Sequence, residues 1–220
     1  ASEDCTYNCL QNLSKKYKMI KISKCPMNIG YGRAQNTILQ ELESNYHLFC
    51  NPDIISRENF LDPLIKCMDA NVKIGIIAPK TLNLDGTVHW SNRRYPGVGD
   101  LVLRRSPEFV KRLFRQKLNY YEMKDIDHSL ITEVPCISGA IVLCRTSILK
   151  KINGFDNRFF LYFEDFDMAR LFQKNGYKTV YCPETSVFHI GGFASRKSLK
   201  IKFIHIMSAI KYFQKWGWKF

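Results

Sequence analysis

The sequence has no apolar run approaching the ~20 residues that a membrane-spanning helix takes, so nothing in its 220 residues reads as a span. None of its eight cysteines forms a Cys-x-x-Cys pair, which removes the usual zinc-knuckle spacing. Cys5 and Cys9 lie close together, whereas Cys25, Cys50, Cys67, Cys136, Cys144 and Cys182 are scattered, several within apolar strand-like runs. They read as reduced, small core residues of a cytosolic protein. No Gly-Lys-Ser/Thr follows the glycine turn at Gly30 and Gly32, so there is no Walker loop. There is no internal repeat and no low-complexity segment. The opening stretch, ASEDCTYNCL, is polar and offers no apolar core for a signal peptide. Acidic residues are scarce: 20 stand against 33 Lys and Arg, a net charge of +13.

What remains is an ordinary globular balance, 45% hydrophobic and 24% charged, enough for one domain with a sizeable core. The positive charge suits an anionic ligand, an anionic membrane surface or nucleic acid, and it constrains partners rather than fold.

Residues 1–16 read as a loop and a short helix, and Met19 to Ser23 alternates like a strand. Asn28 to Asn36 (NIGYGRAQN) is a glycine-bearing turn entering a helical pattern. Tyr46 to Asp53 reads as a buried strand ending at a proline turn, residues 57–70 as a helix, and Ile74 to Lys80 as a strand with a proline end. Residues 81–100 are turn-rich, with a tight turn at Asp85-Gly86, and 101–130 look basic and irregular. Cys136 to Arg145 is strand-like, and a short helix then stops at Gly154. Asp165 to Asn175 is a helix ended by Gly176, Tyr177 to Pro183 a strand, and SVFHIGG follows. Apolar strands alternating with helices predict an α/β layer with a mostly parallel sheet flanked by helices. Ligands of such sheets lie beyond the carboxyl ends of strands, where Asp53, Lys80 and His189 fall. The chain opens on what looks like the loop after a strand, so it reads as lacking its first strands.

Three groups of residues carry chemistry. Glu164, Asp165 and Asp167 follow the aromatic run Phe159, Phe160, Tyr162 and Phe163. Carboxyls against apolar walls have raised pKa values, and one of them can then serve as a general base near neutral pH. The same acids would also suit a helix start. Asn51-Pro52-Asp53 closes a strand, where a carboxylate can hold a divalent cation, although all three residues are also turn formers. His189 is a metal-ligand candidate through a neutral imidazole, or a structural histidine. Asp53, His189 and a diphosphate would form an oxygen and nitrogen set suited to Mg²⁺ or Mn²⁺. Gly30 and Arg33 open a helix in a way that favours a phosphate.

In this order the segments NIGYGRAQN, NPD, APKTLNLDGTVHWSNRRYP, SGAIVLCR, GFDNRFFLYFEDFDMARLFQKNGYKTVYCPETSVFH and GGFASRK resemble the inverting GT-A glycosyltransferases, a family that includes bacterial polysaccharide rhamnosyltransferases. The resemblance runs over nearly the whole chain. It implies a nucleotide-sugar donor and a glycan or lipid-linked acceptor. Asp165 matches the catalytic base and Glu164 its partner. Asp53 matches the last acid of the DxD-like motif, whose first acid is Asn51 here, and His189 a metal-ligand histidine. Gly30, Arg33 and Asn36 match the segment near the nucleotide, with Lys80 added on the donor side. Ser138, Gly139 and Ala140 match the floor under the donor sugar. Arg93 and Arg94 match a loop over donor or acceptor. Asp167 is assigned to the acceptor side or to a structural role. L-rhamnose from a thymidine diphosphate donor is the sugar the resemblance suggests first. The family's first strand and base-binding acid have no counterpart.

Residues 1–197 thus read as the transferase domain and 198–220 as a basic amphipathic helix. That helix places Phe203, Met207, Ile210 and Phe213 or Gln214 at helical spacing, and it suits either packing on the sheet or peripheral contact with the inner face of the cell membrane. Two rival readings are a basic nucleic-acid-binding module and a metal-dependent sugar-nucleotide hydrolase. The cations form no known nucleic-acid motif and the acids no multi-aspartate metal cluster, so nucleic acid is not an expected partner.

Overall fold

Four apolar segments build the frame, because their side chains must be covered on both faces of a sheet. A computed structural model describes residues 4–137, 139–191 and 199–220. The elements run α1 (Thr6–Lys16), α2 (Tyr31–Asn36), a 3₁₀ turn (Leu39–Glu41), β1 (Tyr46–Cys50), β2 (Ile54–Ile55), α3 (Leu61–Ala70), β3 (Ile74–Leu82) and β4 (Asn92–Arg93). There follow α4 (Val98–Arg105), α5 (Glu108–Leu113), α6 (Arg115–Tyr121), β5 (Thr132–Glu133), β6 (Cys136–Ile137), β7 (Ile141–Arg145), α7 (Thr146–Lys151), α8 (Glu164–Lys174), β8 (Lys178–His189) and α9 (Leu199–Trp216).

The main sheet has the order β1-β7-β3-β8-β2, with β5 on β8, and β4 pairs separately with β6. The α/β class expected from the sequence holds. The described sheet is mixed: its longest ladder, β3 with β8, is parallel, while β1–β7, β3–β7, β2–β8 and β5–β8 are antiparallel. Apolar strands report burial on two faces, not strand direction, which is why composition alone overstated the parallel share.

Alternation along the strands sends Ile76, Val142 and Cys144 to one face, where they meet Leu149 of α7 and Phe172 of α8. Ile77, Leu143 and Val180 face the other way, onto Leu64 and Met68 of α3. Fully burying each such side chain is worth about 1.5–3 kcal/mol. A third cluster joins Phe159 and Phe163, just before α8, to Ala209, Tyr212 and Phe213 of α9.

Several local expectations are corrected. Met19 to Ser23 forms no strand; Met19 is 87% exposed, and an alternating pattern with no partner sheet buries nothing. Residues 98–121 form three helices rather than irregular chain. Pro79 does not end its strand. β3 passes it at an irregularity where Pro79 faces Cys182 and Lys80 already faces Ser186, so Pro183 is bulged out of the ladder it cannot donate to. The tight turn at Asp85-Gly86 is present, with the Asn83 carbonyl accepting from Gly86 at 2.9 Å. On α9 the expected apolar stripe is split: Phe203 and Met207 are exposed, while Phe213 is buried with Ser208, Ala209 and Tyr212.

Candidate active site

The site is built at a bend where two consecutive residues turn left-handed. Tyr162 and Phe163 both have φ of 70°, a left-handed conformation that costs non-glycine residues on the order of 1–3 kcal/mol each. Packing against α9 holds them there. Phe163 packs on Tyr212 and His205 of α9, with centroids 5.4 and 5.0 Å apart. The bend aims the start of α8 into a cavity of about 860 Å³ whose lining includes Glu164 and Asp165.

The two carboxyls are treated differently. Asp165 accepts the amide N–H of Phe166 at 2.9 Å and a backbone hydrogen bond from Gly139. Burial raises its pKa, and those backbone donors oppose the rise. Glu164 is 9% exposed, and its Oε2 is buried without a hydrogen-bond partner among the described residues. Burial first, and the neighbouring Asp165 second, push its pKa up to about 8. Both carboxyls are pushed up by burial, but only Asp165 has backbone donors from other residues that favour its charged form.

Other segments converge on the same cavity. Asn51 follows β1 and donates its backbone N–H to the Ala140 carbonyl at 2.8 Å, so the strand end and the 139–140 turn form one floor. An added Cβ at Gly139 would come within 3.6 Å of Asp165 Cβ, which shows how near the turn lies to the acid. Arg93 also lines the cavity; burial, and then Arg104, push its guanidinium pKa down. His189 closes β8 on the same lining, and its Nε2 lies 3.2 Å from Asp53 Oδ2. The His89 ring stands edge-on to His189 at 5.1 Å.

The Asp53–His189 pair has the chemistry of a partial cation site. Asp53 Oδ1 and His189 Nδ1 are both buried without hydrogen-bond partners among the described residues. No group of three or more metal-binding side chains exists among those residues. Two protein ligands fit Mg²⁺ or Mn²⁺, which commonly keep water and substrate phosphate in their remaining positions.

The structure brings together Asn51, Arg93, Gly139, Ala140, Glu164, Asp165 and His189 on one cavity. Other expected residues lie elsewhere. Gly30 packs against the Phe160 backbone, and Tyr31 donates its backbone N–H to the Phe160 carbonyl at 2.9 Å. Arg33 donates to the Asn157 carbonyl at 2.8 Å. Asn36 donates to the Phe155 carbonyl at 2.7 Å and accepts from the Phe155 N–H at 2.9 Å. These polar groups are engaged in fastening α2 to the loop that precedes α8, not in lining the cavity. Arg94 is fully occupied by Asp125, at 2.7 and 2.9 Å, and by the face of Tyr120. Asp167 is 0% exposed, bonded to Lys215 and Trp216, so its acceptor-side assignment gives way to the structural one. Lys80 sits within β3, outside the lining. Ser138 and most of the GGFASRK segment fall outside the described residues.

The cavity also recruits Tyr31, Arg104, Arg105, Lys202 and His205, none of which stood out in the sequence. The spacing of Lys202 and His205, three apart on a helix, is the one local sign that both face the same way.

Comparison with known proteins bears on this geometry. The family described as Glycosyltransferase like family 2 matches residues 76–205. The chain is 24% identical over 188 residues to the N-acetylglucosaminyl-diphospho-decaprenol L-rhamnosyltransferase of Mycobacterium tuberculosis, covering 80% of this chain and 60% of that protein. It is 25% identical over 194 residues to the rhamnosyltransferase WbbL of Escherichia coli, covering 83% and 69%. Among solved structures, GalNAc-T7 with UDP, GalNAc and Mn²⁺ superposes with a TM-score of 0.62 at 11% identity, over 88% of this chain and 36% of that one. The mannosyltransferase PcManGT of Pyrobaculum calidifontis, in complex with GDP-Man and Mn²⁺, gives 0.60 at 15% identity, over 98% and 52%. The fold is therefore that of the GT-A glycosyltransferases, and the chain spans 60% of the length of the M. tuberculosis relative.

Proposed function

The chain belongs to the glycosyltransferase-like family 2, and we propose that it transfers a hexosyl group, L-rhamnose first among the candidates, from a nucleoside-diphosphate donor to a hydroxyl of a glycan or lipid-linked acceptor, with inversion. The observation that carries this reading is the pairing of Glu164 with Asp165 at a bent helix start, facing a cavity shared with Asn51, Ala140 and His189.

In this reading Asp165 is the general base. Its backbone hydrogen bonds favour the carboxylate, and protonated Glu164 beside it avoids a second negative charge. Asp165 removes the proton of the acceptor hydroxyl as the oxygen attacks the anomeric carbon. The donor's C–O bond breaks, and the bonding electrons leave with the nucleoside diphosphate. Asp53 and His189 are the residues that would hold a divalent cation, which when bound supplies charge neutralisation for the leaving diphosphate. Arg93 adds a fixed positive charge to the same cavity. The rhamnosyltransferase names of the relatives support the sugar, and the Mn²⁺ present with two structural neighbours supports the metal.

No helix among the described residues is long and apolar enough to cross a membrane. A peripheral position at the inner membrane face suits α9, with Leu199, Phe203 and Ile206 exposed beside its lysines.

The test is transfer from a panel of nucleoside-diphosphate sugars to a glycan acceptor with Mn²⁺ present, the product's anomeric configuration being read by NMR. An inverted product is expected, with dTDP-L-rhamnose as the preferred donor. A retained configuration, or release of free sugar without transfer, contradicts the reading.

A further inference from the structure

The cavity has a second charged wall that the chemistry above does not use. Helix α4 supplies Arg104 and Arg105, and α9 supplies Lys202 and His205. Leu101 of α4 packs on the cluster formed by Ala209, Tyr212 and Phe213 of α9, so the two helices are sides of one opening. Among the described residues Arg104 has one long ion pair, 3.8 Å to Glu122, and lies over the Tyr121 ring. Lys111, also on the lining, is held by Glu108 at 2.6 Å. Arg105 and Lys202 have no ion pair among the described residues. His205 does not add to the charge: burial, then Arg105 and Arg104, push its pKa down to about 4. Gathering unpaired like charges in a concave site raises the energy of the free protein and concentrates anions there.

An apolar strip runs beside this wall. Leu199, Phe203, Ile206 and Met207 are 80, 64, 51 and 36% exposed, and their spacing puts them on one side of α9. The side carrying Ile201, Lys202 and His205 adjoins it. Helix α5, whose Lys111 lines the same cavity, exposes Phe109 and Leu113, at 76 and 78%. Single exposed apolar residues are ordinary, but four on one side of a helix whose adjoining side lines a cationic cavity suit an amphiphilic ligand.

We propose that Arg105 and Lys202 bind the phosphate or diphosphate of a lipid-linked acceptor, whose hydrocarbon chain lies along Leu199, Phe203 and Ile206. The proposal rests on the transferase reading only in naming that ligand the acceptor. These cations line the cavity that holds Asp165, so a phosphate held there leaves its attached sugar within the space where the base lies. A bilayer headgroup would need only an outward basic face.

The test is binding, read from intrinsic tryptophan fluorescence, so it remains informative even if sugar transfer is absent. The probes are farnesyl diphosphate, farnesol, inorganic pyrophosphate and phosphatidylglycerol vesicles. Farnesyl diphosphate is expected to bind at least ~10-fold more tightly than farnesol or pyrophosphate, and R105Q/K202Q to weaken it by about tenfold, the scale of one or two charge-assisted hydrogen bonds. Phe203→Ser is expected to weaken farnesyl diphosphate while sparing pyrophosphate. If the double variant melts early, K202E and R105E read the same question singly. Equal affinity in variant and parent overturns the proposal. So does binding to the vesicles with none to farnesyl diphosphate, which would assign the wall to a bilayer surface.

Discussion

Glu164 and Asp165 begin the same helix side by side, yet Asp165 Oδ1 accepts an amide N–H at 2.9 Å while Glu164 Oε2 is buried with no partner among the described residues. Hydrogen bonding to the charged form favours ionisation, and burial without donors opposes it. Two adjacent carboxyls are thereby given different surroundings, one with amide donors from other residues for its charged form and one without.

Stability should record the Glu164 carboxyl. Its pKa is about 8 in the folded chain against an ordinary 4.5, so the folded state holds a proton that the unfolded state has released. The stabilising contribution is complete below about pH 4.5 and is lost as pH rises through about 8, a loss on the order of a few kcal/mol. Urea unfolding at pH 6 and pH 9 should show this decline in the parent protein and a flattened one in Glu164→Gln. Equal slopes would refute the assignment.

Asp167 should prove structural. It is fully buried, Lys215 Nζ lies 2.7 Å from its Oδ1 and the Trp216 indole N–H donates at 2.7 Å. Lys215 also contacts Asp156 at 2.7 Å. Lys215→Met strands a buried carboxylate and should cost about 3 kcal/mol. Asp167→Asn in that background should recover part of the loss in chemical denaturation.

Gly30 separates packing from nucleotide binding. Its φ is 92° and an added Cβ would collide with the Phe160 carbonyl. Gly30→Ala should lower stability by about 2–3 kcal/mol through strain and displaced backbone. Weakened donor binding at unchanged melting temperature would instead return this segment to the nucleotide.

Asp53 and His189 should act together on metal. Asp53→Asn and His189→Ala are each expected to weaken Mn²⁺ binding by ~10-fold or more in the presence of a nucleoside diphosphate, the scale expected when one of few protein ligands is removed. Titration of Mn²⁺ by electron paramagnetic resonance reads this directly. Unaltered Mn²⁺ affinity in both variants would exclude the pair.

Much of the frame was legible because apolar runs such as Ile74 to Ala78 and Ile141 to Cys144 have one way to hide both faces. The aromatic-acidic block before α8 was legible for the same local reason, its unusual composition. Three things were not. Strand direction leaves no mark on composition. The roles of Arg33, Asn36 and Arg94 depended on distant partners, Asn157, Phe155 and Asp125, which no spacing reveals. The second wall joins Arg105 to Lys202 across nearly a hundred positions of sequence, and α4 lay in a stretch whose charges concealed its helices.

The base assignment is tested most directly by Asp165→Asn, with kcat measured beside the donor's dissociation constant. The account predicts that kcat falls by about 10²–10⁴-fold, the worth of a general base, while donor affinity stays within about twofold. A kcat within a few-fold of the parent would contradict it.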